Sequence, residues 1–221
     1  MPRNYNAAII KKLRGQLYRI AAGKRSSKQI GEIAGLLSSA FSQVGLKPVL
    51  VGGAAVELYL ESGYATADLD MVLLNDPAVA AVMRDLDFER PIRGERSWHH
   101  PKLSLTVEFP SSSLSPGEDT VQVRSRYGVF LVISREDLAV DRLNSFAYWG
   151  STVDGLNVLL LMMQDEFSTA RFRGKLKGTE LVPLAARLTR LRRNLKAGKK
   201  TFDEVAASLL RIIHDWSRRK P

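Results

Sequence analysis

Three acidic residues and two glycines carry the chemistry this sequence can offer. In Asp68-Leu69-Asp70-Met71-Val72 the aspartates stand two apart in an otherwise apolar run. Side chains alternate across a β-strand, so both carboxylates point to one face. Neighbouring carboxylates repel, and a divalent cation that prefers hard oxygen ligands relieves the repulsion, which makes the pair a candidate Mg²⁺ site. The alternative is a turn with two solvated carboxylates. Glu108 has a comparable place: over residues 102–110, Leu103, Leu105, Val107 and Phe109 alternate with Ser104, Thr106 and Glu108. Glu108 therefore leaves the apolar face, and it adds a third carboxylate if its strand lies beside the aspartate strand. Otherwise it is an ordinary solvent-facing glutamate. Upstream, Gly52-Gly53 close a short strand at 49–51 and open a helix over 54–61. A glycine turn at a helix N-terminus presents unpaired N–H groups and the positive end of the helix dipole, which suit a phosphate.

Other elements must position these residues. Ile9, Ile10, Leu13, Leu17 and Ile20 recur at helical spacing, so 5–22 is an amphipathic helix. Ser26 or Ser27 caps a second helix over 28–44 that stops at Gly45. Asn75-Asp76-Pro77 caps a helix running to Leu86, residues 90–100 read as polar and irregular, and 111–119 as a loop. Residues 121–124 and 128–133 form a hairpin that finishes the sheet. Ser134 with Asp137 resembles a capping box for a helix to about Tyr148, and helices follow at 152–163, 179–196 and 202–218. The fold class is α+β: a mixed β-sheet with flanking helices and a C-terminal helical subdomain. The expected division is a basic N-terminal helix at 1–27, a core at 28–150 and a basic helical subdomain at 151–221.

The net charge of +10 is unevenly spread: +7 over residues 1–25, −8 over 26–170 and +11 over 171–221. Basic arms around an acidic middle form an electrostatic footprint for a polyanion, RNA first; the alternative is a set of solvated helix faces. Arg187, Arg190, Arg192, Arg193, Lys196, Lys199 and Lys200 lie close enough in sequence to meet consecutive phosphates. The chain has no cysteine, which excludes disulfides, thiolate metal sites and a cysteine nucleophile and fits a reducing cytoplasm. No secretory signal and no membrane-spanning run is legible.

The segments Val51-Gly52-Gly53-Ala54-Ala55-Val56 and Thr66-Ala67-Asp68-Leu69-Asp70-Met71-Val72, with Glu108 in Thr-Val-Glu-Phe-Pro, resemble the nucleotidyltransferase superfamily. That superfamily includes DNA polymerase β, minimal nucleotidyltransferases and abortive-infection toxins that modify tRNA. Gly53 stands where many members carry serine. The resemblance implies that Gly52 and Gly53 hold an NTP triphosphate and that Asp68, Asp70 and Glu108 bind two Mg²⁺ ions. It further implies that a hydroxyl attacks the α-phosphate, with Glu108 drawing its proton. Family members use polar residues on helices after the sheet, so Arg142 would reach the triphosphate and Asp154 orient it; a structural Asp–Arg pair explains both equally. Arg96, Trp98, His99 and His100 would contact base or phosphate, against the alternative of a loop with Trp98 on the core edge. The expected acceptor is RNA, tRNA first, in the setting of a toxin with a cognate antitoxin. Nucleotidylation of a protein or small molecule, or an inactive RNA-binding member, are the alternatives.

Overall fold

The computed structural model describes residues 6–23, 26–61, 66–74, 76–90, 96–103 and 106–218. The chain divides into two compact units, Met1–Ser134 and Arg135–Pro221. The expected positions of Tyr5, Asn75, Ser104 and Leu105, and residues 62–65 between the glycine turn and the aspartates, lie outside the described residues.

The first unit holds α1 (Ala7–Ala21), α2 (Ser27–Ser42), β1 (Val49–Leu50), α3 (Gly52–Leu60), β2 (Asp68–Val72), α4 (Pro77–Asp85), β3 (Ser97–His99), β4 (Thr106–Glu108), β5 (Thr120–Ser125) and β6 (Gly128–Ile133). The strands form one sheet in the order β3-β4-β2-β1-β6-β5. β1 runs antiparallel to β2 and parallel to β6, and β2 runs parallel to β4. β3 and β5 pair antiparallel at the two ends. Register partners share a face, so Trp98, Val107, Leu69, Met71, Leu50, Val132 and Phe130 form one apolar surface, all of them buried. α2 packs on β6, and α3 on β2. Gly35 lets α2 approach the hairpin, since a Cβ there would stand 2.1 Å from the Ser125 hydroxyl oxygen.

Helix starts follow their caps. Asn6 accepts from Ala8 and Ile9 N–H, Ser26 from Gln29 N–H, and Asp76 from Ala78 N–H ahead of Pro77. Ile10, Leu13, Leu17 and Ile20 are buried, whereas Ile9, assigned above to the same stripe, is exposed. Two further expectations change. The polar stretch before His100 contains β3, and of the expected 102–110 strand the described residues Thr106–Glu108 form β4, whereas 102–103 and 109–110 lie outside any strand.

In the second unit, α5 (Arg135–Trp149), α6 (Thr152–Met163), α7 (Thr169–Lys175), α8 (Val182–Lys196) and α9 (Phe202–Ser217) are the elements among the described residues. α7 has no counterpart in the sequence reading, and α8 starts three residues later than expected. Ser151 and Ser168 cap α6 and α7, and Thr201 with Glu204 forms a complete capping box on α9. The Thr201 backbone N–H holds the Glu204 carboxyl below its ordinary value. Asp137, near the α5 start, binds Lys175 Nζ at 2.7 Å, and the neighbouring Glu136 accepts from Ser168 N–H at 2.6 Å.

α1 is tied down by a polar cluster. Tyr18 donates its hydroxyl to Asp87 at 3.1 Å and Arg14 pairs with the same carboxylate at 3.4 Å. The hydrogen bond to Asp87 raises the Tyr18 pKa. His100 is buried, with its ring edge-on to Tyr18 and to Phe88, and its Nδ1 accepts from Lys102 N–H. Burial pushes the His100 pKa below the ordinary 6.5, against the pull of Asp87. Folding therefore favours neutral His100, the unfolded chain binds the extra proton, and stability is complete above pH 6.5 and falls as pH drops through it. Urea midpoints should decline between pH 7.5 and 5, and His100→Asn, which can still accept from Lys102 N–H, should flatten that part of the profile.

Candidate active site

The aspartate strand meets its neighbours in two rows across the sheet face opposite the apolar one. Ser97, Glu108 and Asp70 are register partners across β3, β4 and β2; His99, Thr106 and Asp68 form the next row. Glu108 thus stands directly beside Asp70, and Asp68 lies one alternation along the same strand. Ser97 donates its hydroxyl to Glu108 Oε1 at 2.6 Å, which fixes one carboxylate oxygen. Thr106 Oγ1 is 3.3 Å from His99 Nδ1. Of the four residues around Trp98 singled out above, His99 joins this face, Trp98 turns to the core and His100 is buried elsewhere. Arg96 donates to the Pro110 carbonyl at 2.7 Å.

Gly52 closes the row on the β1 side. Val51 N–H donates to the Asp70 carbonyl at 2.9 Å, and the chain then turns into α3. Gly52 has φ +64°, and a Cβ there would lie 2.2 Å from Asp70 Oδ2. Both facts demand glycine. The N-cap, Val51, makes no side-chain hydrogen bond to the helix, so the first turn of α3 has no side-chain cap. Gly53 is buried behind it.

One participant was missed in the sequence. Glu57, only 3% exposed, sits on α3 and accepts the Thr66 N–H at 2.9 Å. Thr66 Oγ1 in turn accepts from Asp68 N–H at 3.3 Å. The turn and its helix therefore meet β2 twice: Val51 N–H bonds the Asp70 carbonyl, and Glu57 holds Thr66 ahead of Asp68. A lone acid among Gly-Gly-Ala-Ala-Val-Glu-Leu-Tyr-Leu was the available signal.

Asp68, Asp70 and Glu108 share a face, but among the described residues no group of three His, Cys, Asp or Glu is gathered to hold a metal ion. The adjacent pair Asp70 and Glu108 fits Mg²⁺, which is bound through one or two carboxylates, with waters and substrate phosphates filling the remaining positions.

In the second unit, Arg142 pairs with Asp141 and with Asp154 at 3.1 Å. Burial acts to lower its pKa, and the two carboxylates outweigh burial and raise it. Arg190, Arg193, Lys196 and Lys199 are exposed and Lys200 half-buried. Arg192 instead turns inward and donates to Thr169 Oγ1 at 3.2 Å, so it does not belong to the exposed basic face.

No protein-family model matches the chain, and neither does any curated protein. Among solved structures it is similar to an antigenic nucleotidyltransferase-like protein from Paracoccidioides brasiliensis, with a TM-score of 0.54 and 16% identity, over 78% of this chain and 92% of that one. At that identity the likeness concerns the fold alone: a mixed α+β, nucleotidyltransferase-like fold.

Gly52→Ala should destabilise the protein by about 1–3 kcal/mol, the cost of a non-glycine residue in a left-handed conformation, read from urea unfolding. Glu57→Ala should speed amide hydrogen exchange over residues 66–70 at least tenfold, as followed by mass spectrometry. Glu57→Gln, which keeps an acceptor oxygen, should exchange like the wild type.

Proposed function

We propose that this chain is a nucleotidyltransferase that moves an NMP group from an NTP to a hydroxyl on RNA. The observation that carries the reading is the pairing of Asp70 with Glu108 across adjacent strands, immediately beside a glycine turn that opens a helix without a side-chain cap. Backbone N–H groups at that turn would take the triphosphate, with Gly52 leaving the room that a side chain would fill. Asp70 and Glu108, with Asp68 next along the strand, would hold Mg²⁺. That ion, when bound, stabilises negative charge on the phosphoryl oxygens.

The acceptor oxygen forms a bond to the α-phosphorus, the bond from that phosphorus to the bridging oxygen breaks, and pyrophosphate leaves. The hydroxyl proton goes to Glu108, whose other oxygen Ser97 already engages. Ser97 therefore acts as a positioning residue. The exposed Arg190, Arg193 and Lys196 fall on one side of α8 and supply a phosphate-binding face. That face is what favours RNA over a small cationic acceptor.

Incubation with Mg²⁺, each labelled NTP in turn and cell extract should label the RNA fraction. Label confined to protein would overturn the RNA assignment, and no label in any fraction would overturn the transferase. Asp70→Asn should abolish transfer while folding is kept, and Glu108→Gln should lower kcat with little change in NTP affinity.

If about four phosphates are neutralised, log affinity for RNA against log salt should slope at roughly −3 for single strands. Replacing Arg190, Arg193 and Lys196 together should flatten that slope, whereas Arg192→Ala should leave it unchanged.

A further inference from the structure

A cleft of about 630 Å³ opens at the carboxyl ends of β2 and β4. These strands are parallel, so the residues leaving both of them lie at the same end of the sheet. The walls are the residues that follow each strand, Leu73 and Leu74 on one side and Phe109 to Ser112 on the other, tied by Leu73 N–H donating to the Ser111 carbonyl at 3.1 Å. The glycine turn lies in the other direction along β2, next to Asp70, because β1 is antiparallel to it.

Two guanidinium groups line the cleft, and each is held in place. Arg90 lies over the Trp98 ring at 4.4 Å, and Arg96 is anchored by its hydrogen bond to the Pro110 carbonyl at 2.7 Å. Among the described residues neither is paired with a carboxylate. Among the described residues Asp76, which caps α4 through Ala78 N–H at 2.8 Å, is the acid in the lining, so two guanidinium groups stand against one carboxylate there. The rest of the lining includes apolar side chains: Leu74, 59% exposed, with Val79, Ala80 and Phe109.

The geometry points to a binding site for a phosphate monoester, distinct from the carboxylate row. The two arginines take the phosphate, and the apolar part of the lining takes the organic group. Fixed guanidinium planes suit bidentate phosphate binding and lose little freedom when a ligand arrives. The volume falls within the range of small-molecule sites. The monoester has two possible sources, a free mononucleotide or the terminal phosphate of an RNA strand. The inference does not depend on the transferase reading.

The test is direct binding in EDTA, by calorimetry, of four probes: 5′-AMP, adenosine, and a short oligoribonucleotide with and without its 5′-phosphate. A phosphorylated probe should bind at least tenfold more tightly than its unphosphorylated counterpart. Tight 5′-AMP binding identifies the free mononucleotide, and tight binding by the phosphorylated oligomer alone identifies the strand end. Arg90→Ala with Arg96→Ala should weaken that binding at least tenfold. Ala80→Trp should do the same by filling the cleft without touching either arginine, and circular dichroism should show both variants folded. Asp70→Asn should bind as the wild type does. No preference for phosphate or undiminished binding in both cleft variants would overturn the site, and so would tighter phosphate binding in Asp70→Asn, where a repelling carboxylate beside Gly52 is removed, because that assigns the phosphate to the glycine turn.

Discussion

The contact between Gly52 and Asp70 is the constraint on which the candidate site depends. A backbone can lie that near a carboxylate only where no Cβ intervenes, and the positive φ of Gly52 lets the chain leave β1 and enter α3 within one residue. Glu57 then ties the same helix to the approach of β2. With Val51 bonded to Asp70 and Glu57 to Thr66, Leu69 and Met71 face the core and both aspartates face away from it. Repulsion between the acids is accepted because burial of the opposite face sets the register: a slip of one residue would drive Asp68 and Asp70 into the apolar layer.

Charged groups in this protein fall into two kinds. Asp137 with Lys175, and Arg142 with Asp154, are partly or fully buried and mutually satisfied, with the exposed Asp141 pairing to Arg142 from outside. Removing one member would leave an uncompensated charge, so these pairs belong to the architecture of the second unit. Arg90, Arg96, Arg190 and Arg193 are exposed, and positive groups of that kind are available to phosphates. The distinction rests on partners and burial, which net charge alone does not reveal.

The alternation of β2 was legible because a period of two needs only five residues, and the same reasoning put Glu108 on a polar face. What placed it beside Asp70 was strand order and register, which arise from pairings between residues far apart in the chain. β3 escaped notice because Ser97-Trp98-His99 is too short to show a period. α7 escaped because seven residues, Thr-Ala-Arg-Phe-Arg-Gly-Lys, offer a single buried anchor, Phe172. The basic run 187–200 reads as uniformly solvated, yet the turn of α8 carries Arg192 to Thr169. A helix assigns neighbours to different faces, and a count of charges cannot see this.

The middle of the sheet is joined through a strand of two residues. β1 links β2 to β6 through Val49 and Leu50 alone, and its parallel partners, Leu131 and Val132, come late in the unit. On the ribosome, where synthesis proceeds at about 5–20 residues per second, Val49 emerges several seconds before Leu131 can reach it. Parallel pairings of such separation form slowly. Until β6 has been made, β1 has no partner on that side, so the sheet that carries the two aspartates can be completed only after the hairpin of β5 and β6.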